Sequence, residues 1–102
     1  MADEVYYGMV YEDDAEFTSM GQLSKEVPVI CIGAISKVYC VPGWRLGWVI
    51  VYNNNGYFEK VIDRLHKHTM IQLHPTSLVQ AALPSILNNV ADEDLAVMRM
   101  KL

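Results

Sequence analysis

A lone lysine, Lys37, and a lone arginine, Arg45, stand eight residues apart in the stretch Ser36-Lys37-Val38-Tyr39-Cys40-Val41-Pro42-Gly43-Trp44-Arg45-Leu46-Gly47-Trp48. Apolar runs flank it, Val27 to Ile35 before and Leu46 to Tyr52 after. A lysine is costly to place beside strands that read as buried, so its position asks for a reason. One chemical reason is nucleophilicity, because a lysine partly out of water gives up its proton more readily and becomes a usable amine. An arginine nearby, in a loop shaped by Pro42 and Gly43, suits a phosphate, since its planar fork grips two oxygens at once. On spacing alone an ion-pairing or solvated loop remains the better explanation.

The elements that would position these residues can be read from the pattern around them. Met1 to Tyr7 reads as the end of a strand. Gly8 to Gln22 is acidic and irregular, with Glu12, Asp13, Asp14 and Glu16 forming a solvated surface. Val27 to Ile35 predicts a short strand buried on both faces, with Pro28 tolerated near its start. Leu46 to Tyr52 predicts a second such strand, and Asn53-Asn54-Asn55-Gly56 a turn. Phe58, Val61, Ile62, Leu65 and Thr69 recur at helical spacing, so a helix is expected over Phe58 to Leu73, ended by His74-Pro75. Thr76 can cap a helix from Ser77 to about Asn88. Pro84 inside it predicts a kink near Gln80 to Pro84, at a cost on the order of 3 kcal/mol if unrelieved. Asp92 can cap a last helix with Leu95, Met98 and Leu102 on one face. Three strands followed by helices make an α/β arrangement.

With 102 residues the chain is long enough for one small domain, and at 52% hydrophobic and 20% charged it suits a buried layer rather than a disordered tail. The formal net charge of -4, with no basic run, argues against nucleic acid, which needs a cationic footprint. No apolar run reaches the length of a membrane span. Asp3 and Glu4 stand where a secretory leader would be basic, which points to a cytoplasmic protein. Cys31 and Cys40 lack metal or redox spacing; they could bridge, but two buried intracellular thiols are preferred. His66 and His68, two apart on a helix, face different directions and are not expected to chelate a metal; His74 is an ordinary cap residue. The scattered methionines read as gap-fillers.

The string Ser36-Lys37 followed by Val41-Pro42-Gly43-Trp44-Arg45-Leu46-Gly47-Trp48 resembles the cofactor-lysine segment of the fold-type-I, pyridoxal-phosphate-dependent aminotransferases, and looks most like their tyrosine aminotransferase branch. Ala2-Asp3-Glu4-Val5-Tyr6 resembles the same family's upstream Asp-Glu segment. Pro75-Thr76-Ser77-Leu78-Val79-Gln80-Ala81-Ala82-Leu83 resembles the helix that follows. The resemblance implies part of the large, cofactor-binding domain over residues 1–102, in which the last of the three strands runs antiparallel to its neighbours.

It also implies a role for each matching residue. Lys37 would hold pyridoxal 5'-phosphate covalently, then move a proton between the substrate α-carbon and the cofactor's C4' carbon as base and acid. Arg45 would hold the phosphate; without the resemblance it could equally stack on Trp44 or Trp48. Asp3 would sit beside the pyridine nitrogen and keep it protonated, and Tyr6 would hydrogen-bond the ring's 3'-oxygen. Out of context these two read as a surface carboxylate and a core tyrosine. Many relatives carry a hydroxyl three residues before the lysine; here that place is Ala34, and Ser36 is the hydroxyl nearest the lysine as a phosphate ligand.

The family's catalytic subunits are several times longer, so the resemblance implies an internal piece of a larger enzyme, homodimeric when whole. The upstream phosphate loop, the ring-stacking aromatic, an asparagine to the 3'-oxygen and the arginine for the substrate carboxylate all lack a match here. The expected reaction is transfer of an amino group from an aromatic amino acid to a 2-oxo acid. An alanine-type enzyme, or an inactive piece serving as an interaction module, are the alternatives.

Overall fold

The structure is a computed structural model and describes residues 1–12 and 14–100. Its centre is a three-stranded sheet in the order β1-β2-β3, formed by Ala2–Asp3, Val29–Ala34 and Gly47–Tyr52. β1 pairs parallel to β2, with Ala2 opposite Cys31 and Asp3 opposite Ile32. β3 pairs antiparallel to β2 along its whole length, from Val29 opposite Tyr52 to Ala34 opposite Gly47. The expected order of strands and the reversed direction of the last are both present. β1 is shorter than the run Met1 to Tyr7, because the chain turns at Glu4, whose C=O accepts the Tyr7 N–H at 2.9 Å.

The burial expected of the strands needs correction. In β2 only one face is closed: Val29, Cys31 and Gly33 are buried, while Ile30, Ile32 and Ala34 are half-buried. The closed face is covered by α1, Met20–Leu23, a short helix inside the stretch that reads as irregular. Ser19 caps it, its Oγ accepting the Gly21 N–H at 3.2 Å. Gly21 lies so close to the Tyr52 ring that a Cβ there would fall 2.0 Å from it. β3 is an edge strand, and its apolar centre stays open, with Val49 50% and Ile50 44% exposed.

A one-turn helix, α2 (Ile35–Val38), follows β2 directly, and a 3-10 turn spans Pro42–Trp44. After β3 the asparagine turn forms as expected, with Asn55 and Gly56 at positive φ. Asn54 Nδ2 donates to both Ser24 O and Val27 O at 3.0 Å, tying this turn to the segment that enters β2. Three helices follow among the described residues: α3 (Glu59–Thr69), α4 (Ser77–Asn89) and α5 (Asp92–Arg99). α3 stops short of Leu73 in a turn over residues 70–72, where His68 C=O accepts from both Ile71 and Gln72. α4 continues through Pro84. Thr76 occupies its N-cap position, but its side chain makes no capping bond. α5 starts one residue earlier than expected, with Ala91 at the N-cap and Asp92 already helical. Leu95 and Met98 are half-buried as one face; Leu102 and Asp13 lie outside the described residues. Neither α3 nor α4 buries a residue fully. No helix among the described residues is long and apolar enough to cross a membrane. Both cysteines are free, with Cys31 buried but Cys40 exposed, so the expected pair of buried thiols is half right.

Candidate active site

Lys37 and Arg45 belong to a single loop whose base is sealed. Ile35 and Leu46, the residues at its two ends, are 0% and 4% exposed, and the Ile35 N–H donates to Leu46 O at 3.3 Å. From that base the chain climbs through α2, and Tyr39 N–H donates back to Ile35 O at 3.2 Å. Cys40 then turns the backbone at φ 54°. Pro42, its φ preset by the ring, opens the 3-10 turn. Arg45 closes the loop in the left-handed region at φ 50°, with its Nη1 donating to Pro42 O at 2.9 Å. A non-glycine residue in that region costs roughly 1–2 kcal/mol, so the loop spends stability at two positions to hold this shape.

The expectation that Lys37 is partly desolvated fails, for Lys37 is exposed. Ile35 fills the core, and two residues along a helix is a rotation of about 200°, so the lysine is turned to the opposite side. Its amine stands over Tyr6, 54% exposed rather than a core residue, whose ring centroid lies 5.8 Å from Lys37 Nζ. Cation stacking among the described residues thus falls on Lys37 and Tyr6, not on Arg45 and a tryptophan.

Asp3 is brought in by the parallel pairing. Side chains alternate along a strand, so the register Asp3 to Ile32 puts Asp3 on the same sheet face as Ile32 and Ala34. β1 and β2 end toward the same edge, with Asp3 at the end of one and Lys37 just beyond the end of the other. Ligands of α/β sheets bind outside the C-terminal ends of such strands. Asp3 Oδ1 accepts the Val5 N–H at 3.3 Å, and Tyr6 sits in the turn just after it. On that same face a cavity of about 950 Å³ separates the sheet from α3. Ser36 and Arg45 both line it, with Ile32 and Ala34. His66 and His68 line it as well, so their expected divergence is incomplete. Lys37, Asp3 and Tyr6 lie outside this cavity, toward the strand ends. A smaller cavity of about 390 Å³ on the other face, lined by Ser19, Cys31, Trp48 and Tyr52, contains none of the five residues.

Sequence reasoning passed over Ser19 and Glu4, which bond to each other beneath this site. The pattern Ser19-x-x-Gln22 is a capping-box signature and could have located α1. Nothing local could have paired Ser19 with a glutamate fifteen residues away.

The whole chain, residues 1–102, matches the family model described as aminotransferase class I and II. It is 40% identical over 93 residues to tyrosine aminotransferase of Caenorhabditis elegans, covering 91% of this chain and 20% of the relative. It is 36% identical over 104 residues to S-alkyl-thiohydroximate lyase of Arabidopsis thaliana, covering 100% of this chain and 22% of that protein. The solved structure of alanine aminotransferase from Pyrococcus furiosus superposes with a TM-score of 0.83 at 34% identity, over 95% of this chain and 24% of that one. The chain therefore spans about a fifth of the length of the curated relatives it matches. With three strands in this order and an aminotransferase as structural neighbour, it belongs to the class I and II aminotransferases, as part of their fold-type-I domain.

Proposed function

We propose that these residues carry the cofactor-lysine half of a pyridoxal-phosphate-dependent aminotransferase, which moves an amino group from an aromatic amino acid, tyrosine, to a 2-oxo acid. The observation that carries this reading is the sealed loop holding Lys37 and Arg45, with Asp3 on the adjacent parallel strand at the same edge of the sheet. The donor set fits the cofactor: an amine for its aldehyde, a guanidinium and a hydroxyl on one cavity for its phosphate, a carboxylate and a phenol for its ring. When bound, pyridoxal phosphate supplies an electron sink for charge developing at the substrate α-carbon.

Lys37 would hold the cofactor through its amine at the aldehyde carbon and would accept and return the substrate α-proton as base and acid. Arg45 and Ser36 bind phosphate oxygens, the guanidinium as a two-pronged donor. Asp3 keeps a proton on the ring nitrogen by placing negative charge beside it, and Tyr6 donates to the ring oxygen. Residues 1–102 are then part of the large domain, and the whole enzyme is a cytoplasmic homodimer. The preference for tyrosine rests on Val41-Pro42-Gly43-Trp44 and on the similarity to the Caenorhabditis elegans tyrosine aminotransferase.

Borohydride reduction of the whole protein loaded with pyridoxal phosphate, followed by peptide mapping, is expected to place the label on Lys37. A label on another lysine would remove the reading. The likeness to the Pyrococcus furiosus alanine aminotransferase favours a second reading, an alanine-type enzyme. Comparing kcat/KM for tyrosine and alanine decides between them.

A further inference from the structure

Glu4 is bonded on every side that the chain offers. Its backbone N–H donates to Ile32 O at 2.8 Å, which extends the β1–β2 pairing one residue past Asp3. Its C=O accepts the Tyr7 N–H at 2.9 Å and so closes the turn that carries Tyr6. Its carboxylate accepts from Ser19 Oγ at 2.8 Å and 3.1 Å and from the Met20 N–H at 2.8 Å. Ser19 is itself 6% exposed, accepts the Gly21 N–H, and lies 3.8 Å from Cys31 Sγ in the middle of β2.

Alternation along the strand explains why this arrangement bears on Asp3. Glu4 faces the closed side of the sheet, where α1 and Cys31 lie, so Asp3 must face the other side. A register slip of one residue would exchange the two carboxylates between faces. β1 is only two residues long, Ala2–Asp3, too short for its own ladder bonds to fix that register firmly. Bonds to an ionised carboxylate are roughly twice as strong as neutral ones, and Ser19 is held among buried neighbours.

We infer that Glu4 and Ser19 are positioning residues: their clamp fixes the register of β1, and with it the direction of Asp3 and the turn bearing Tyr6, opposite Lys37. The inference rests on the reading of Asp3, Tyr6 and Lys37 given above. Neither Glu4 nor Ser19 touches cofactor or substrate; they act through Asp3 and Tyr6.

The test uses the whole loaded protein and two variants, Ser19→Ala and Glu4→Gln, the second keeping the shape of the side chain. Three readouts are taken: borohydride labelling, affinity for pyridoxal phosphate, and amide hydrogen exchange along β1, β2 and β3. The expected result is labelling at Lys37 in both variants, with cofactor affinity lowered about tenfold, the scale of one lost hydrogen bond to a charged group. Exchange should quicken at Glu4 and Tyr7, the amides on either side of the turn, while the β2–β3 ladder stays protected. Parent-like affinity and exchange, in variants that still label at Lys37, would overturn the clamp and leave the proposed function standing. Faster exchange spread equally through β2 and β3 would show a merely structural role and would also overturn it. A parent that is not labelled at Lys37 would overturn the proposed function, and this inference with it.

Discussion

Arg45 sits at φ 50° with its guanidinium folded onto the Pro42 carbonyl, so its backbone and its side chain are set by the same short turn. Arg45→Lys keeps the charge and loses the planar fork; pyridoxal phosphate affinity is expected to fall roughly tenfold, measured by titrating the apoenzyme. Asp3→Ala in the whole enzyme should act differently. A carboxylate that offsets charge developing on the ring works mostly in the transition state, so kcat should drop by about 100-fold or more while cofactor affinity falls only about tenfold. Equal kcat for variant and parent would show that Asp3 is not the ring-nitrogen partner. At this scale the sequence was legible where partners are close along the chain. Lys37 and Arg45 share one loop, and their spacing is visible in a line of text. Asp3 and Tyr6 meet Lys37 only through the pairing of Asp3 with Ile32, far along the chain, and needed the family resemblance to be singled out. That Lys37 is exposed could not be read at all, because it follows from Ile35 turning inward within a helical turn that the pattern did not announce.

Among the elements, α1, like α2, was missed in the sequence. The four residues of α1 are too few for an apolar period, and their acidic surroundings read as loop. Its packing is nonetheless close: a Cβ at Gly21 would fall 2.0 Å from the Tyr52 ring, so Gly21→Ala must displace that ring. The expected cost is about 1–3 kcal/mol, read as a shift of the denaturant midpoint in the whole protein. Asn54→Ala should cost about 1 kcal/mol by the same measurement, since it removes both bonds to the segment leading into β2. β2 and β3 were legible as strands from their apolar runs, but their exposure was not. Burial depends on what lies against a strand, and among the described residues β3 has no neighbour beyond it in the sheet. The exposed Lys67–Asp63 pair on α3, at 2.6 Å, is a helix-surface contact of small energetic weight.

For the molecule as a whole, the Cα radius of gyration is 15.5 Å, against about 13 Å for a compact chain of this length. Composition suited a buried core, yet among the described residues only Val29, Cys31, Ile35 and Leu46 are buried apolar side chains, while large ones such as Ile71 and Leu78 remain about four-fifths exposed. Among the described residues both outer strands of the sheet lack a further partner and one face is open, which makes a template for association. The isolated 102-residue chain is therefore expected to self-associate, measured by gel filtration across a range of concentrations. It should also fail to transaminate, because no residue assigned above orients a substrate carboxylate, and positioning supplies up to roughly 7–11 kcal/mol of rate enhancement. Incubation with cofactor, tyrosine and 2-oxoglutarate should yield no glutamate. Turnover that disappears in Lys37→Ala would show that this part of the site suffices.

The sealed base at Ile35 and Leu46 has a kinetic corollary. Lys37 and Arg45 lie between two strands that pair as neighbours along the chain, so their juxtaposition needs only the closure of a short loop. Asp3 must wait for the longer excursion from Glu4 to Pro28 to close before β1 can dock. Loop-closure entropy rises with length, and local contacts form fastest. In refolding of the whole enzyme, substitutions in the β2–β3 pair should slow the formation rate, whereas Ser19→Ala should chiefly speed unfolding. Lys37 and Arg45 would then be brought together early, and Asp3 would join them last.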